Sequence, residues 1–135
     1  MKALIDLNVF IDVLQKRQEF LKPSLQIVKQ ALTGKLTGYL PAHSVTTAVY
    51  ICRALGTGSR RDDALNLILD KRINVIPCDR KILLDARALD FADYEDAVVA
   101  VSAKRAKCKY IITRNVKDFA NSPVPAITPS DFLAL

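Results

Sequence analysis

Three aspartates stand where carboxylates could do chemistry. Asp6 closes the short apolar run that starts at Lys2, Asp96 lies in D-Y-E-D-A-V-V-A at residues 93–100, and Asp118 lies in I-I-T-R-N-V-K-D-F at residues 111–119. Carboxylates brought together from distant parts of a chain repel one another. That raises some of their pKa values unless a cation compensates. Hard oxygen donors of this kind suit Mg²⁺ or Mn²⁺ with several waters retained. Such an ion can turn water into a nucleophile and neutralise charge on a phosphodiester. The candidate catalytic and metal-holding set is therefore Asp6, Asp96 and Asp118, with Asp93 as a further possible ligand.

Each residue also has a plainer reading. Asp6 could cap the helix that follows it, Asp93 with Asp96 three residues on resembles a capping arrangement, and Asp118-Phe119 could be a surface turn. Glu95, adjacent to Asp96 on a helix, is expected to point away from it into solvent.

For the three aspartates to meet, the elements must be α/β. Lys2 to Asp6 reads as a buried strand ending in a carboxylate, and Asn8 to Lys16 as a helical opening. Pro23 fits the first turn of a second helix that carries Leu25, Ile27, Val28, Ala31 and Leu32 on one face and stops at Gly34. Gly38 to Pro41 reads as an extended link. Ser44 is a credible N-cap for a helix bearing Val45, Ala48, Val49, Cys52 and Leu55. Gly56 to Ser59 breaks that helix, and another over Arg61 to Lys71 buries Ala64, Leu65, Ile68 and Leu69.

Ile73 to Ile76 is a strand by its β-branched content, and Asp79 caps a helix through Leu89. Asp93 opens the most apolar helix, with Ala97 to Val101 apolar in succession, so that helix is central in the fold. Tyr110 to Thr113 is a strand, and Val124 to Thr128 an edge strand. Strands alternating with helices imply a mainly parallel sheet covered on both faces. Sites in such sheets form beyond the carboxyl ends of the strands. Asp6, Asn115 and Asp118 fall there, and Asp96 sits in a first helical turn, where the dipole favours a carboxylate.

Composition narrows the class. The 135 residues make one domain, residues 1–135, with a core of Leu, Ile, Val and Ala, since aromatic residues are only 7% and Trp is absent. Asp6 and Asp12 interrupt the apolar N-terminal run and no cleavage motif follows, so a signal peptide is not expected. No apolar run approaches the roughly 20 residues that cross a bilayer; the expectation is a cytoplasmic protein with no membrane association. Cys52, Cys78 and Cys108 are dispersed, which favours small buried hydrophobes over zinc or disulfides. The net charge of +6 is compatible with a polyanionic partner such as nucleic acid. No glycine-rich phosphate loop is present, and no Ser/His/Asp or Cys/His arrangement is evident.

In combination the motifs are far more specific than singly. L-I-D-L-N-V-F-I-D at residues 4–12 resembles the opening of PIN domains, residues 93–100 resemble the segment with their third acidic residue, and residues 111–119 resemble their T-R-N-x-x-D-F signature. The resemblance covers almost the whole chain. It implies a Rossmann-like, mainly parallel sheet flanked by helices, and a carboxylate-lined pocket for Mg²⁺ or Mn²⁺. Asp6 and Asp96 would be metal ligands and Asp118 the fourth acidic group, with Thr113 and Asn115 lining the pocket and Asn8 bracing the loop after Asp6. Asp12 would be structural.

Many small members of this family resemble VapC-type toxins, ribonucleases silenced by a small antitoxin protein. The resemblance therefore implies an RNA substrate, an antitoxin partner and a homodimer, with residues 45–70 as its expected surface.

One departure stands out. PIN domains usually carry a Glu on the helix after the second strand. Here the stretch His43 to Tyr50 has no acid, and Thr47 or Ala48 stands at that place. Asp93, Glu95 or water could fill the role, and His43, the only histidine, lies beside the gap. The alternative function is accordingly a catalytically weak or inactive PIN-fold module that binds RNA or protein.

Overall fold

The computed structural model describes residues 1–55 and 61–135. The predicted break at Gly56 to Ser59, the Leu55 side chain and Arg60 lie outside the described residues. Strand β1 (Lys2–Ile5) leads into α1 (Leu7–Leu14) and α2 (Gln18–Thr33), then β2 (Thr37–Pro41), α3 (Ala42–Leu55) and α4 (Arg61–Ile68). There follow β3 (Asn74–Ile76), α5 (Arg80–Arg87), α6 (Tyr94–Arg105), β4 (Tyr110–Ile112), a 3₁₀ turn (Val116–Phe119), β5 (Ala126–Ile127) and α7 (Pro129–Leu133).

The five strands form one sheet in the order β3-β2-β1-β4-β5, with every pairing parallel. The chain leaves β1 toward β2 and β3 on one side and resumes at β4 on the other. The topological switch point thus lies between β1 and β4, where a crevice opens at the carboxyl ends of the strands. Side chains alternate across the sheet. Ala3, Ile5 and Ile112 join a core with Phe10, Ile27, Leu40, Ile68 and Phe132, whereas Leu4 and Ile111 join a second core with Ile82, Val98, Val101 and Phe119. Helices α1–α4 and α7 cover one face and α5 and α6 the other.

Helix α6 is buried along Ala97–Ala103, as its all-round apolar character requires. Gly34 ends α2 in the left-handed conformation at φ 83°. A Cβ on Gly38 would lie 3.0 Å from both the Ala31 Cβ and the Ile5 Cδ1. This glycine therefore sets how closely β2 approaches α2.

Several elements differ from expectation. Gly38 to Pro41 is no link but most of β2, hydrogen-bonded between β1 and β3; its Gly and Pro mask a strand whose place is fixed by its neighbours. Helix α2 begins at Gln18, so Pro23 lies inside it rather than in its first turn. Helix α3 starts at Ala42, and Ser44 is a buried residue within it, not its N-cap. Helix α4 stops at Ile68, and Leu69 is exposed. Helix α7 was not anticipated, although Thr128 caps it by accepting from the Asp131 N–H at 3.1 Å with Pro129 at its start. Cys52 and Cys108 are buried and Cys78 is partly exposed; all three are free thiols. Among the described residues no helix is long and apolar enough to cross a membrane.

Candidate active site

At the carboxyl end of β1, the backbone of Asp6 continues the ladder to β4 through its N–H and the Ile112 carbonyl, at 2.9 Å. The Asp6 side chain then turns into α1, where Oδ1 accepts from the Leu7 N–H at 2.8 Å. The capping reading of Asp6 is correct, and it coexists with a place in the cleft. Its other oxygen, Oδ2, accepts from Thr113 Oγ1 at 2.8 Å and lies 3.3 Å from Asn8 Nδ2. Thr113 is fully buried beneath the cleft and also accepts from Asn8 at 3.2 Å and from the Asn115 N–H at 3.1 Å. The expected pocket-lining residue Thr113 is thus the hub that aims Asp6 and ties the β1 and β4 ends together.

A second clamp lies below. Fully buried Asp12 accepts from Arg114 Nε at 2.8 Å and from Ser24 Oγ at 3.0 Å. The Arg114 guanidinium stacks on the Phe20 ring at 4.2 Å. Asp12 is therefore structural, and Arg114, which the sequence reading did not single out, is its partner. The T-R-N stretch uses its threonine on one acid, its arginine on another, and its asparagine at the cleft.

The cleft has a volume of about 190 Å³ and is lined by Asp6, Asn8, Thr47, Glu95, Asp96 and Asn115, with Leu7, Ser44, Ile51 and Val99 as its firmer walls. Asp96, in the first turn of α6, is raised to about 7. Desolvation is the largest cause, followed by the charges of Asp6, Asp93, Asp118 and Glu95. Burial likewise raises Asp6, against the hydrogen bonds from Thr113 and Leu7. Four carboxylates therefore stand close enough for their charges to bear on Asp96.

Their roles are unequal. Asp118 is exposed in the 3₁₀ turn and is not part of the cleft lining, so it acts from the rim. Asp93 caps α6 by accepting from the Glu95 N–H at 2.8 Å and likewise stands outside the lining.

Glu95 is exposed, as expected beside Asp96 on a helix, and it also lines the cleft. Its side chain is half exposed and reaches α3, where Thr47 Oγ1 lies 3.1 Å from its Oε1. Of the two positions considered for the absent helix acid, Thr47 lines the cleft and Ala48 is fully buried in the core. His43 Nε2 stands 3.8 Å from the same Glu95 oxygen, too far for a hydrogen bond. Both His43 ring nitrogens are buried without a hydrogen-bond partner, and burial lowers its pKa against the opposing pull of Glu95.

Among the described residues, no three His, Cys, Asp or Glu groups are arranged as a metal cage. The donor set nonetheless fits a hard divalent cation that keeps most of its water. Such ions need only one or two carboxylates from the protein, and the mutual repulsion around Asp96 is relieved by positive charge.

Residues 2–117 match the family model described as a PIN domain. The chain belongs to the PIN-domain family. It is 25% identical over 136 residues to Ribonuclease VapC1 of Aquifex aeolicus, covering 97% of this chain and 92% of that protein. The fold is similar to that in a toxin–antitoxin complex from Klebsiella pneumoniae, with a TM-score of 0.65, 21% identity and coverage of 94% of this chain and 97% of that one. It is also similar to FitAcB from Neisseria gonorrhoeae, with a TM-score of 0.67, 18% identity and coverage of 95% and 98%. A third similar structure is VapC20 of Mycobacterium tuberculosis, a toxin that cleaves the sarcin-ricin loop, with a TM-score of 0.68, 8% identity and coverage of 91% and 98%.

Proposed function

We propose that this PIN-domain protein is a metal-dependent endoribonuclease and the toxin half of a toxin–antitoxin pair. The observation that carries the reading is the crowding of carboxylates around Asp96 at the sheet's switch point, where desolvation first and then their charges raise it to about 7. Asp6 and Asp96 hold Mg²⁺ or Mn²⁺, with Asp118 adding charge from the rim. When bound, that ion acidifies water and neutralises charge on the scissile phosphodiester.

The protein's own groups do the positioning. Thr113 and the Leu7 N–H aim Asp6, and Asn8 bridges Asp6 to the β4 end. Asn115, exposed at the cleft edge, offers an amide to a phosphate oxygen. The similarity to Ribonuclease VapC1 supports RNA as substrate, and the net charge of +6 suits a polyanion. Single-stranded loops are the accessible targets. The toxin–antitoxin complex of similar fold supports a small antitoxin partner. A homodimer through the described residues of the 45–70 stretch, where Tyr50 is exposed, and a cytoplasmic location complete the reading.

Purified protein is expected to cleave RNA in Mn²⁺ or Mg²⁺, leaving 5′-phosphate ends, and to stop on addition of EDTA. Undiminished cleavage by Asp6→Asn and Asp96→Asn proteins refutes the mechanism. The lack of an acid in the stretch His43 to Tyr50 favours a second reading, a module that binds RNA or protein without cutting. Salt-sensitive RNA binding with no metal-dependent product distinguishes it.

A further inference from the structure

Glu95 is the one acid in the cleft that is held from another helix. It starts on α6 beside Asp96, crosses to α3, and is fixed by Thr47 at 3.1 Å. Holding a half-exposed side chain in one conformation opposes its rotamer entropy, and here the Thr47 hydroxyl, shared with the His43 carbonyl at 3.2 Å in its own helix, supplies the anchor. The carboxylate is thereby kept in the cleft lining next to Asp6 and Asp96, where its repulsion of both is unfavourable unless a cation is shared. The buried, unpartnered nitrogens of His43 lie against the same carboxylate, so this end of the cleft is polar without being internally satisfied.

The other acid near this position does not compete. Asp93 is engaged with the Glu95 N–H and lies outside the lining.

We infer that Glu95, tethered by Thr47 across the cleft, supplies from α6 the negative charge that α3 lacks, and orients water of the bound cation. The inference rests on the metal-site reading above. It makes Thr47 a positioning residue for Glu95 rather than a polar substitute for an acid. It also explains why an uncharged side chain at position 47 is compatible with a cation site: the hydroxyl fixes the orientation of an acid from another element. The α3 helix then contributes to the site through geometry and the α6 helix through charge.

The test is Mn²⁺ affinity, measured on full-length protein by the loss of the free-ion electron paramagnetic resonance signal. Glu95→Gln is expected to weaken Mn²⁺ binding roughly tenfold, in the range seen when groups around a metal are removed. Thr47→Val, which keeps every charge and removes the tether, is expected to weaken it by a smaller but measurable factor. Glu19→Gln, an exposed acid on α2, controls for net charge. Unfolding midpoints in EDTA for all four proteins report whether the fold is intact. Wild-type affinity in Glu95→Gln overturns the inference, and wild-type affinity in Thr47→Val overturns the role of the tether. Folded wild type that binds no Mn²⁺ overturns the metal-site reading itself, and the inference with it.

Discussion

Replacing Asp96 with Asn should make the metal-free protein more stable at alkaline pH while abolishing its cation site. Asp96 is raised from the ordinary 3.8 to about 7, first by desolvation and then by the charges of Asp6, Asp93, Asp118 and Glu95. The folded state therefore holds a proton that the unfolded chain has already released between these values. Stability from this group is fully present below about 4 and is lost as pH rises through about 7. At about 1.4 kcal/mol per pH unit the ceiling is about 4 kcal/mol. Asp96 is only partly buried, and solvent screening reduces the expected effect to about 1–2 kcal/mol.

Asn cannot ionise, so Asp96→Asn should gain that amount over wild type at pH 8 and only about a third of it at pH 5. Urea unfolding in EDTA at the two pH values measures it. A variant whose advantage does not grow from pH 5 to pH 8 refutes the claim that Asp96 is strained by its neighbours. Saturating Mn²⁺ should cancel the difference by stabilising wild type alone.

Arg114→Ala leaves fully buried Asp12 with only Ser24 and the more distant Arg17, and should lower stability by about 2–3 kcal/mol, read as a reduced urea midpoint with an unchanged slope. Gly38→Ala puts a methyl 3.0 Å from Ala31 and Ile5, and should destabilise by about 1–2 kcal/mol through displacement of α2 from the sheet. Thr113→Val removes a hydrogen bond that lowers the Asp6 pKa and leaves the Asn115 N–H without its acceptor. Metal binding should then set in at higher pH than in wild type, and a titration of Mn²⁺ affinity against pH checks the direction.

The fold was legible where chemistry and periodicity agree. The α6 run Ala97–Val101 reads as a buried helix and Asp6 as a carboxylate at a strand end, and the fold has both. Strand β2 was not legible, because Gly38 and Pro41 speak against a strand locally and its identity is conferred by β1 and β3 on either side. The convergence of Asp6 and Asp96 was legible through motif context; the different position of Asp118, on the rim, was not.

Least visible was the partner that holds Glu95 at the cleft. Asp96, next to Glu95 in sequence, suggests divergence around the helix, and that is correct for one turn of α6. The Thr47 hydroxyl that draws it across the cleft lies 48 positions away. Arg114 was hidden for a related reason: a basic residue beside functional ones reads as an exterior charge, whereas its guanidinium stacks on Phe20 and bonds buried Asp12.

The central claim is that the cleft between β1, β4 and α6 holds the catalytic cation. Crystals grown or soaked with Mn²⁺ and measured at the manganese absorption edge test it most directly. The account predicts an anomalous peak at coordination distance from Asp6 and Asp96, with Glu95 reached through water and the peak lost in Asp96→Asn. A protein that cleaves RNA in Mn²⁺ yet shows its anomalous peak away from Asp6 and Asp96 contradicts it.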